Sequence, residues 1–301
     1  MSKRPYKYLD YIKVLVSISI LIFLAVYFIL NRGMISSLGI IDCLLFSGLI
    51  LSFYFTLSIP FKLMLVDSIS MRSIFGLSLI SNFFNLIIPL RGGTLIRASI
   101  LKNKYGVTIR KYSSISLLLS ICSIFILGNL SLLVISNTTL RESSYNASLN
   151  IAAILLSSSS FIFLISSKWI SLKIKKNYLI DVFSFKNILI TILTYLVAVS
   201  LYILRYILIF KVFNIELEIF SIATITVLHL AAGLFSILPG NLGLKELSFV
   251  GITSLFEVPA SISLVMISFD RILQVILLSF GSSLSMSNVG LNFSKFLTFK
   301  R

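Results

Sequence analysis

The chain has 301 residues, of which 57% are hydrophobic and only 12% are charged. Soluble domains carry about 25% charged residues, so this composition excludes an ordinary soluble protein and predicts a polytopic membrane protein. The formal net charge is +16, but the basic residues lie mainly in short connections between apolar runs, which indicates anionic lipid headgroups rather than nucleic acid as partners.

The basic segments predict the orientation of the chain. The first 13 residues are basic, and no small-residue cleavage site follows the first apolar run, so we expect a retained helix rather than a signal peptide. Residues 102–111, residues 168–186 and the tail from 295 are also rich in lysine and arginine. Because such segments stay in the cytoplasm, we predict one multi-pass domain over residues 1–301 in the cytoplasmic membrane, with both termini cytoplasmic.

The apolar runs of the first half predict three spanning helices and one interrupted segment. The helices are expected at 12–31, 40–60 and 112–136, and the interrupted segment lies between them at 73–101. Pro60 is expected to end the second helix, because proline removes a backbone donor and clashes with the preceding turn.

The second half has the same order of elements. Its helices are expected at 148–167, 187–212 and 258–286, with an interrupted segment at 219–256 whose first limb is expected to be helical from Ile219 to Leu238. Helix, helix, interrupted segment and helix therefore occur twice, inserted in opposite senses, in half-repeats of roughly 1–140 and 147–290. Inverted repeats with broken helices at corresponding positions are typical of transporters whose site lies near the bilayer midplane.

Each interrupted segment is predicted to form a re-entrant hairpin. Proline and glycine break the helices at Pro89–Gly93 and Pro239–Gly243. The limb after the first break reaches only about 13 Å at 1.5 Å per residue, too short to span. Eight full spans are the alternative, but they would put both internal basic connections outside. The predicted fold is thus all-α, with about six spanning helices and two hairpins.

The two breaks are candidate binding sites for an anion. Thr94 and Asn241 are good N-caps for the helices that follow. A helix N-terminus inside the membrane presents free N–H groups and a positive dipole end, which suits a phosphate or carboxylate. Arg91 and Arg97 add fixed charge and bidentate geometry, and arginine at membrane depth needs a cavity, a partner or water.

Other polar residues in apolar runs extend this prediction. Buried pairs between Glu246 and Arg271, and between Asp270 and Arg205, are candidates, either as structural pairs or as parts of a functional site. Asn82 and Asn85 precede the first break and could bind unwound backbone or a ligand. The predicted substrate-binding residues are Asn85, Arg91, Gly92, Gly93, Thr94, Arg97, Pro239, Gly240, Asn241, Gly243, Glu246 and Arg271.

No cofactor or metal site is predicted. Cys43 and Cys122 lie within apolar runs and are expected to be packing residues, with no disulfide framework or metal spacing. His229, the single histidine, is expected to be a satisfied core residue rather than a proton relay.

The ordered motifs resemble the transmembrane region of the lysylphosphatidylglycerol synthase and flippase family, in its stand-alone form. They are Pro89–Gly93 with Arg97, then Pro239–Gly243 with Glu246, then Arg271 in the last helix. The resemblance implies moving or presenting an anionic or amphipathic lipid, or a lipid-linked sugar. The family often has an acidic residue where Thr94 stands and a glycine where Asn241 stands. The short tail is not expected to accommodate a soluble aminoacyl-transfer domain.

These features predict a flippase or lipid-handling transporter for an anionic or lipid-linked-sugar headgroup, and they favour a transporter over an enzyme. No nucleotide-binding motif is present to supply energy. A membrane glycosyltransferase with a polyprenyl-phosphate donor is the alternative, for which Glu216 and Glu218 are the candidate acidic pair. A small-solute transporter and a scaffold for a partner synthase or glycosyltransferase are further alternatives.

Overall fold

All regular structure in the described part of the chain is α-helical, as predicted. The computed structural model describes residues 19, 22–31, 33, 39–65, 69–88, 92–136, 147, 150–162, 181–234 and 243–289. In chain order the helices are α1 (22–30), α2 (Ile40–Met64), α3 (Met71–Ile87), α4 (Gly92–Tyr105), α5 (Ile109–Ser136), α6 (Asn150–Ile162), α7 (Phe185–Val212), α8 (Ile219–Ala232), α9 (Leu244–Ser254) and α10 (Ala260–Val289).

Four of these helices are long and apolar enough to cross a membrane. They are α2, α5, α7 and α10, judged by length and composition over the described residues. The shorter α6 and α8 are apolar as well. The chain is therefore a multi-pass membrane protein, because each of the four spans exceeds the length that the hydrocarbon core requires.

Both predicted N-caps were wrong. Thr94 lies inside α4, which begins at Gly92, and the N-cap of α9 is Gly243 rather than Asn241.

Two predicted helix ends were also wrong. Pro60 does not end α2, which continues to Met64 and is capped where the Leu65 N–H donates to the Phe61 carbonyl at 3.0 Å. Only one turn follows the proline, and Phe61 and Met64 are buried there, so packing offsets the missing hydrogen bond. The apolar helix predicted to reach residue 238 stops earlier, since α8 ends at Ala232.

The helices of the two halves make matching contacts. In the first half α2 packs on α3, α3 on α4, and α4 on α5, while in the second α7 packs on α8, α8 on α9, and α9 on α10. Between the halves, α3 packs on α10 as α8 packs on α5, and α2 packs directly on α7. Every contact in this set has a counterpart when the two groups of four helices are exchanged.

One pair of counterparts differs in extent proportionally more than the others. Helix α4 touches α5 sparsely, whereas α9 packs closely against α10. The contact between α4 and α5 is thus the looser of two equivalent interfaces.

Helix α6 packs closely against α5 through a glycine. A Cβ on Gly128 would lie 2.7 Å from the backbone nitrogen of Ser157 and 3.2 Å from the carbonyl oxygen of Ala153. Small residues are favoured at such membrane interfaces because they let the backbones approach and gain van der Waals contact.

Gly128→Ala is expected to lower stability by about 1–3 kcal/mol, because the clash involves backbone that cannot rotate away. Thermal unfolding of the purified protein in detergent measures the loss. Gly48→Ala in α2 is the matched control, since a Cβ there meets no heavy atom within 4 Å. Equal unfolding temperatures for the two variants would contradict the close contact.

Candidate functional site

A cavity of about 690 Å³ lies within the helices of the first half and reaches the second. The residues that line it come from α2, α3, α4, α5, α7 and α10, together with Lys245 of α9 and Gly233. The residues beside both predicted breaks therefore contribute to a single space, together with the last helix.

The wall formed by α3 is a polar stripe on an otherwise apolar helix. Ser78, Ser81, Asn82 and Asn85 follow one another at helical spacing and all line the cavity. The Asn82 amide donates to the Ser78 carbonyl of its own helix at 2.8 Å. The Asn85 Oδ1 atom is buried and has no hydrogen-bond partner among the described residues.

Helix α5 supplies a second polar wall opposite α3. Tyr112, Ser113, Ser116 and Ser120 line the cavity at helical spacing. The Ser116 Oγ atom, like Asn85 Oδ1, is buried without a partner in the described structure. Buried polar atoms are nearly always satisfied, so two orphaned atoms facing one cavity indicate that it accommodates a polar group.

Arg97 of α4 is held in the cavity by uncharged groups from three other helices. Its Nε donates to the Tyr112 hydroxyl at 3.1 Å and its Nη1 to the Ser78 hydroxyl at 3.2 Å. The guanidinium carbon lies 4.0 Å from the ring centroid of Phe61, within the range of a cation–π contact. The Tyr112 hydroxyl in turn donates to the Thr94 carbonyl at 3.1 Å, which links α5 to α4.

These contacts orient the Arg97 side chain without neutralising it. A guanidinium has five N–H donors, and the two contacts above use only two of them. No described carboxylate lies within ion-pair distance of Arg97. The remaining donors and the full positive charge are available to a ligand in the cavity.

Arg271 of α10 reaches the same cavity but carries its own counterion. Its Nε donates to Glu246 Oε1 at 2.8 Å, which confirms one of the two predicted pairs. The other carboxylate oxygen, Oε2, accepts from the Gly243 N–H at 2.6 Å. Gly243 has a φ of 84°, a conformation that suits glycine because it has no Cβ. Glu246 therefore joins the start of α9 to α10.

Arg205 and Asp270 form the second predicted pair, beneath the cavity rather than in it. Arg205 Nε lies 3.1 Å from Asp270 Oδ1, and Nη2 donates to Oδ2 at 3.1 Å. Gln274, which lines the cavity, donates to the same carboxylate at 3.0 Å. The Arg205 guanidinium carbon also lies 4.1 Å from the Tyr202 ring centroid. Both charged residues are almost completely buried, with 1% and 2% exposure.

Lys245 is a cavity residue that the sequence prediction omitted. It lies in the first turn of α9 and lines the cavity beside Gly233, whose added Cβ would meet the lysine Cε at 2.8 Å. Its ammonium makes no hydrogen bond or ion pair with any described residue. The proximity of Lys245 to the second break was visible in the sequence, but its direction depends on how α9 packs.

The adjacent glycines of the first break serve helix packing. A Cβ on Gly93 would overlap the Ser81 carbonyl oxygen and lie 2.8 Å from Asn85 Oδ1, and one on Gly92 would overlap the Ile88 side chain. Neither glycine lines the cavity. They let the start of α4 cross the end of α3 closely enough to bring Arg97 beside Ser78.

The structure thus divides the predicted site residues into three groups. The cavity is lined by Asn85, Thr94, Arg97 and Arg271. Supporting positions next to it are occupied by Gly92, Gly93, Gly243 and Glu246. Arg91, Pro239, Gly240 and Asn241 lie outside the described residues. The sequence prediction included the asparagines of α3 but missed the serines beside them and the polar side chains of α5, although their helical spacing could have revealed them.

The residues considered above for proton transfer, glycosyl transfer or metal binding do not line the cavity. His229 is fully buried among Tyr206 and Phe249, with Ser248 Oγ 3.4 Å from its Nδ1. The expectation of a satisfied histidine was right for burial and wrong for hydrogen bonding, because its Nε2 has no partner among the described residues. Glu216 and Glu218 are exposed. Within the described portion of the chain, no three histidine, cysteine or acidic residues are grouped as metal ligands.

The cavity has an apolar side opening between α4 and α5. Leu95, Ile109 and Leu117 line it and are also exposed, at 71%, 52% and 46%. In a membrane protein such exposed apolar side chains face acyl chains. The opening therefore connects a basic interior to the hydrocarbon of the bilayer.

Comparison with known proteins gave one result. The family model for the lysylphosphatidylglycerol synthase TM region matches residues 11–281. Neither the curated proteins nor the solved structures gave a match to this chain.

Proposed function

The chain belongs to the family of the lysylphosphatidylglycerol synthase transmembrane region, and from this membership we propose that it is a flippase or lipid-handling transporter for a lipid with an anionic headgroup. The observation that carries the proposal is the cavity, which is lined by Arg97, Lys245 and Arg271 and by no described acidic residue. Its side opening is apolar, as a lipid with a charged headgroup and hydrocarbon tails requires.

The headgroup would enter between α4 and α5 while the tails remain in the bilayer. Arg97 has free donors in a planar fork, which matches the oxygens of a phosphate. The hydroxyl and amide groups on α3 and α5 replace water around the rest of the headgroup. The apolar rim formed by Leu95, Ile109 and Leu117 would contact the first carbons of the tails.

We propose a topology of six spans and two re-entrant hairpins in the cytoplasmic membrane, with both termini in the cytoplasm. The hairpins are α3–α4 and α8–α9, and residues 12–31 and 148–167 provide the two spans beyond the four that length and composition identify. The basic connection at 102–111 is adjacent to the α4–α5 opening. The opening would therefore face the cytoplasmic leaflet.

The matching contacts of the two halves support an inverted repeat, and the largest proportional asymmetry between them supports a mechanism of exchange. The α4–α5 interface is loose and open, whereas its counterpart between α9 and α10 is closed by the Glu246–Arg271 pair. Movement of the lipid would close the first interface and open the second. Gradients, lipid asymmetry or a partner protein would supply the energy.

The structure offers no observation that favours a glycosyltransferase. The acidic pair which that reaction would need, Glu216 and Glu218, is exposed and does not line the cavity. A partner synthase or glycosyltransferase that produces or consumes the lipid is compatible with the transport proposal.

The test is reconstitution into vesicles with tail-labelled anionic and neutral lipids, followed by chemical quenching of the label in one leaflet. We expect the protein to move anionic lipids faster than protein-free vesicles do. Cysteines at Leu95 and Leu117, in a background of Cys43→Ser and Cys122→Ser, allow a bismaleimide to bridge the opening. Cross-linking is expected to reduce transport to the protein-free rate.

The control places the cysteines at Leu193 and Leu196, which are both exposed on α7 and about one turn apart. Bridging this pair leaves the α4–α5 opening free, so transport should continue. Unchanged transport after the Leu95–Leu117 bridge would refute entry between α4 and α5. Absence of transport by the unmodified protein for every lipid would refute the proposed function itself.

A further inference from the structure

The charges around the cavity specify the kind of phosphate that it accepts. We propose that the site prefers a lipid with a phosphomonoester headgroup, which approaches two negative charges, over a phosphodiester lipid, which has one. This inference rests on the proposed function, because it assumes that the headgroup of a lipid occupies the cavity.

The buried carboxylates near the cavity are already paired with arginines. Among the described residues, Glu246 and Asp270 are the acidic side chains that are buried. Each is bound to an arginine, Glu246 to Arg271 and Asp270 to Arg205. Neither carboxylate is left to neutralise another cation.

Within the described residues, two basic residues of the cavity then form no ion pair. Arg97 has only hydroxyl and aromatic neighbours, and Lys245 has no described acceptor. With Lys245 protonated, the site carries two positive charges. A phosphomonoester has a charge of about −1.5 to −2 at pH 7, so it neutralises both. A phosphodiester would leave one cation uncompensated in a space of low dielectric, which is costly.

The balance of donors and acceptors points the same way. Arg97 and Lys245 contribute only donors, because neither a guanidinium nor an ammonium has an acceptor. A phosphomonoester presents three terminal oxygens to them, whereas a phosphodiester presents two and replaces the third with an ester linkage to a substituent. Hydroxyls such as that of Ser116 can donate hydrogen bonds to the remaining lone pairs of the phosphate oxygens.

The side opening distinguishes a lipid from a soluble phosphate ester as the source of this group. Three exposed apolar residues, Leu95, Ile109 and Leu117, form the rim. A soluble sugar phosphate would gain nothing from this rim, whereas the tails of a lipid would stay against it. The expected ligand is therefore a lipid phosphomonoester such as phosphatidic acid or a prenyl monophosphate.

The experiment measures binding of short-chain phosphatidic acid and short-chain phosphatidylglycerol to the full-length protein in neutral detergent, by ligand-induced thermal stabilisation. We expect phosphatidic acid to bind at least about tenfold more tightly than phosphatidylglycerol, because one further charge-assisted hydrogen bond accounts for such a factor. Lys245→Gln is expected to weaken binding of phosphatidic acid about tenfold and to reduce the preference to less than about threefold.

Lys211→Gln is the matched control, because Lys211 is exposed at the end of α7 and does not line the cavity. It should leave both affinities unchanged. Equal affinities of the unsubstituted protein for the two lipids would overturn the inference, and so would an equal loss for both lipids in Lys245→Gln. If glycerol 3-phosphate competed at the same concentrations as phosphatidic acid, the ligand would not need to be a lipid. The preference for a phosphomonoester would then stand, and the inference that its source is a lipid would be overturned.

Measuring both binding and transport distinguishes a failure of the proposed transport function from a failure of the proposed headgroup preference. A tenfold preference in detergent with no lipid movement in vesicles would refute the flippase and leave the headgroup preference standing. Transport of both lipids at equal rates, with equal affinities, would refute the preference and leave the flippase standing.

Discussion

Arg97→Gln is expected to lower the rate of anionic lipid movement about tenfold to hundredfold, because each charge-assisted hydrogen bond to a phosphate contributes about 1.5–3 kcal/mol. Glutamine is long enough to retain one contact with Ser78 or Tyr112, so the fold around α4 should persist. What is lost is the positive charge and the planar fork that faces the cavity.

The measurement is the initial rate of movement of a tail-labelled anionic lipid in reconstituted vesicles, normalised to the amount of inserted protein. Arg110→Gln is the control, because it removes the same charge near the same connection from a side chain that is exposed. Arg97→Lys should give an intermediate rate, because an ammonium keeps the charge and loses the fork. Full activity in Arg97→Gln would show that this residue does not bind the headgroup.

Asp270→Asn is expected to produce the largest loss of stability, about 3–5 kcal/mol, because it leaves the buried Arg205 without a counterion. Arg205 is only 1% exposed; its Nη2 donates to one carboxylate oxygen of Asp270, and its Nε lies 3.1 Å from the other. Its remaining neighbours are aromatic rings and cannot neutralise it. Thermal unfolding in detergent, or resistance to a denaturing detergent, measures the change.

A double variant shows whether the loss comes from the charge or from the shape of the side chain. Arg205→Met combined with Asp270→Leu removes both charges and should recover much of the stability, because well-packed apolar residues often replace a buried pair at little cost. Asp181→Asn, at an exposed position, controls for the chemical change alone. If Asp270→Asn were as stable as Asp181→Asn, the buried pair would not support the fold.

The candidate site could be predicted in part because its residues are chemically unusual for their surroundings. Arginine, glutamate and a Pro-Gly break within apolar runs are costly, so their presence identified Arg97, Glu246 and Arg271 as members of one region. The two ion pairs followed because Asp270 and Arg271 are neighbours on a helix and point about 100° apart, so each needs its own partner. The choice of those partners was limited to the few charges in apolar runs.

Other features could not be predicted because they depend on distances between helices. The roles of Gly92 and Gly93 in helix crossing, and the entry of Lys245 into the cavity, result from the angles at which α4 and α9 pack. The wrong end assigned to α2 has the same origin, since the burial of Phe61 and Met64 offsets the effect of Pro60.

The sequence by itself determined that this protein is helical, crosses the membrane several times and breaks two of its apolar segments beside fixed charges. Those properties follow from local composition, because burying charge or unpaired backbone in hydrocarbon is costly wherever it occurs. Only the tertiary structure decided which cations keep a counterion and which remain free. That outcome depends on which helix faces come within about 3 Å of each other, a distance that spacing along a chain does not specify.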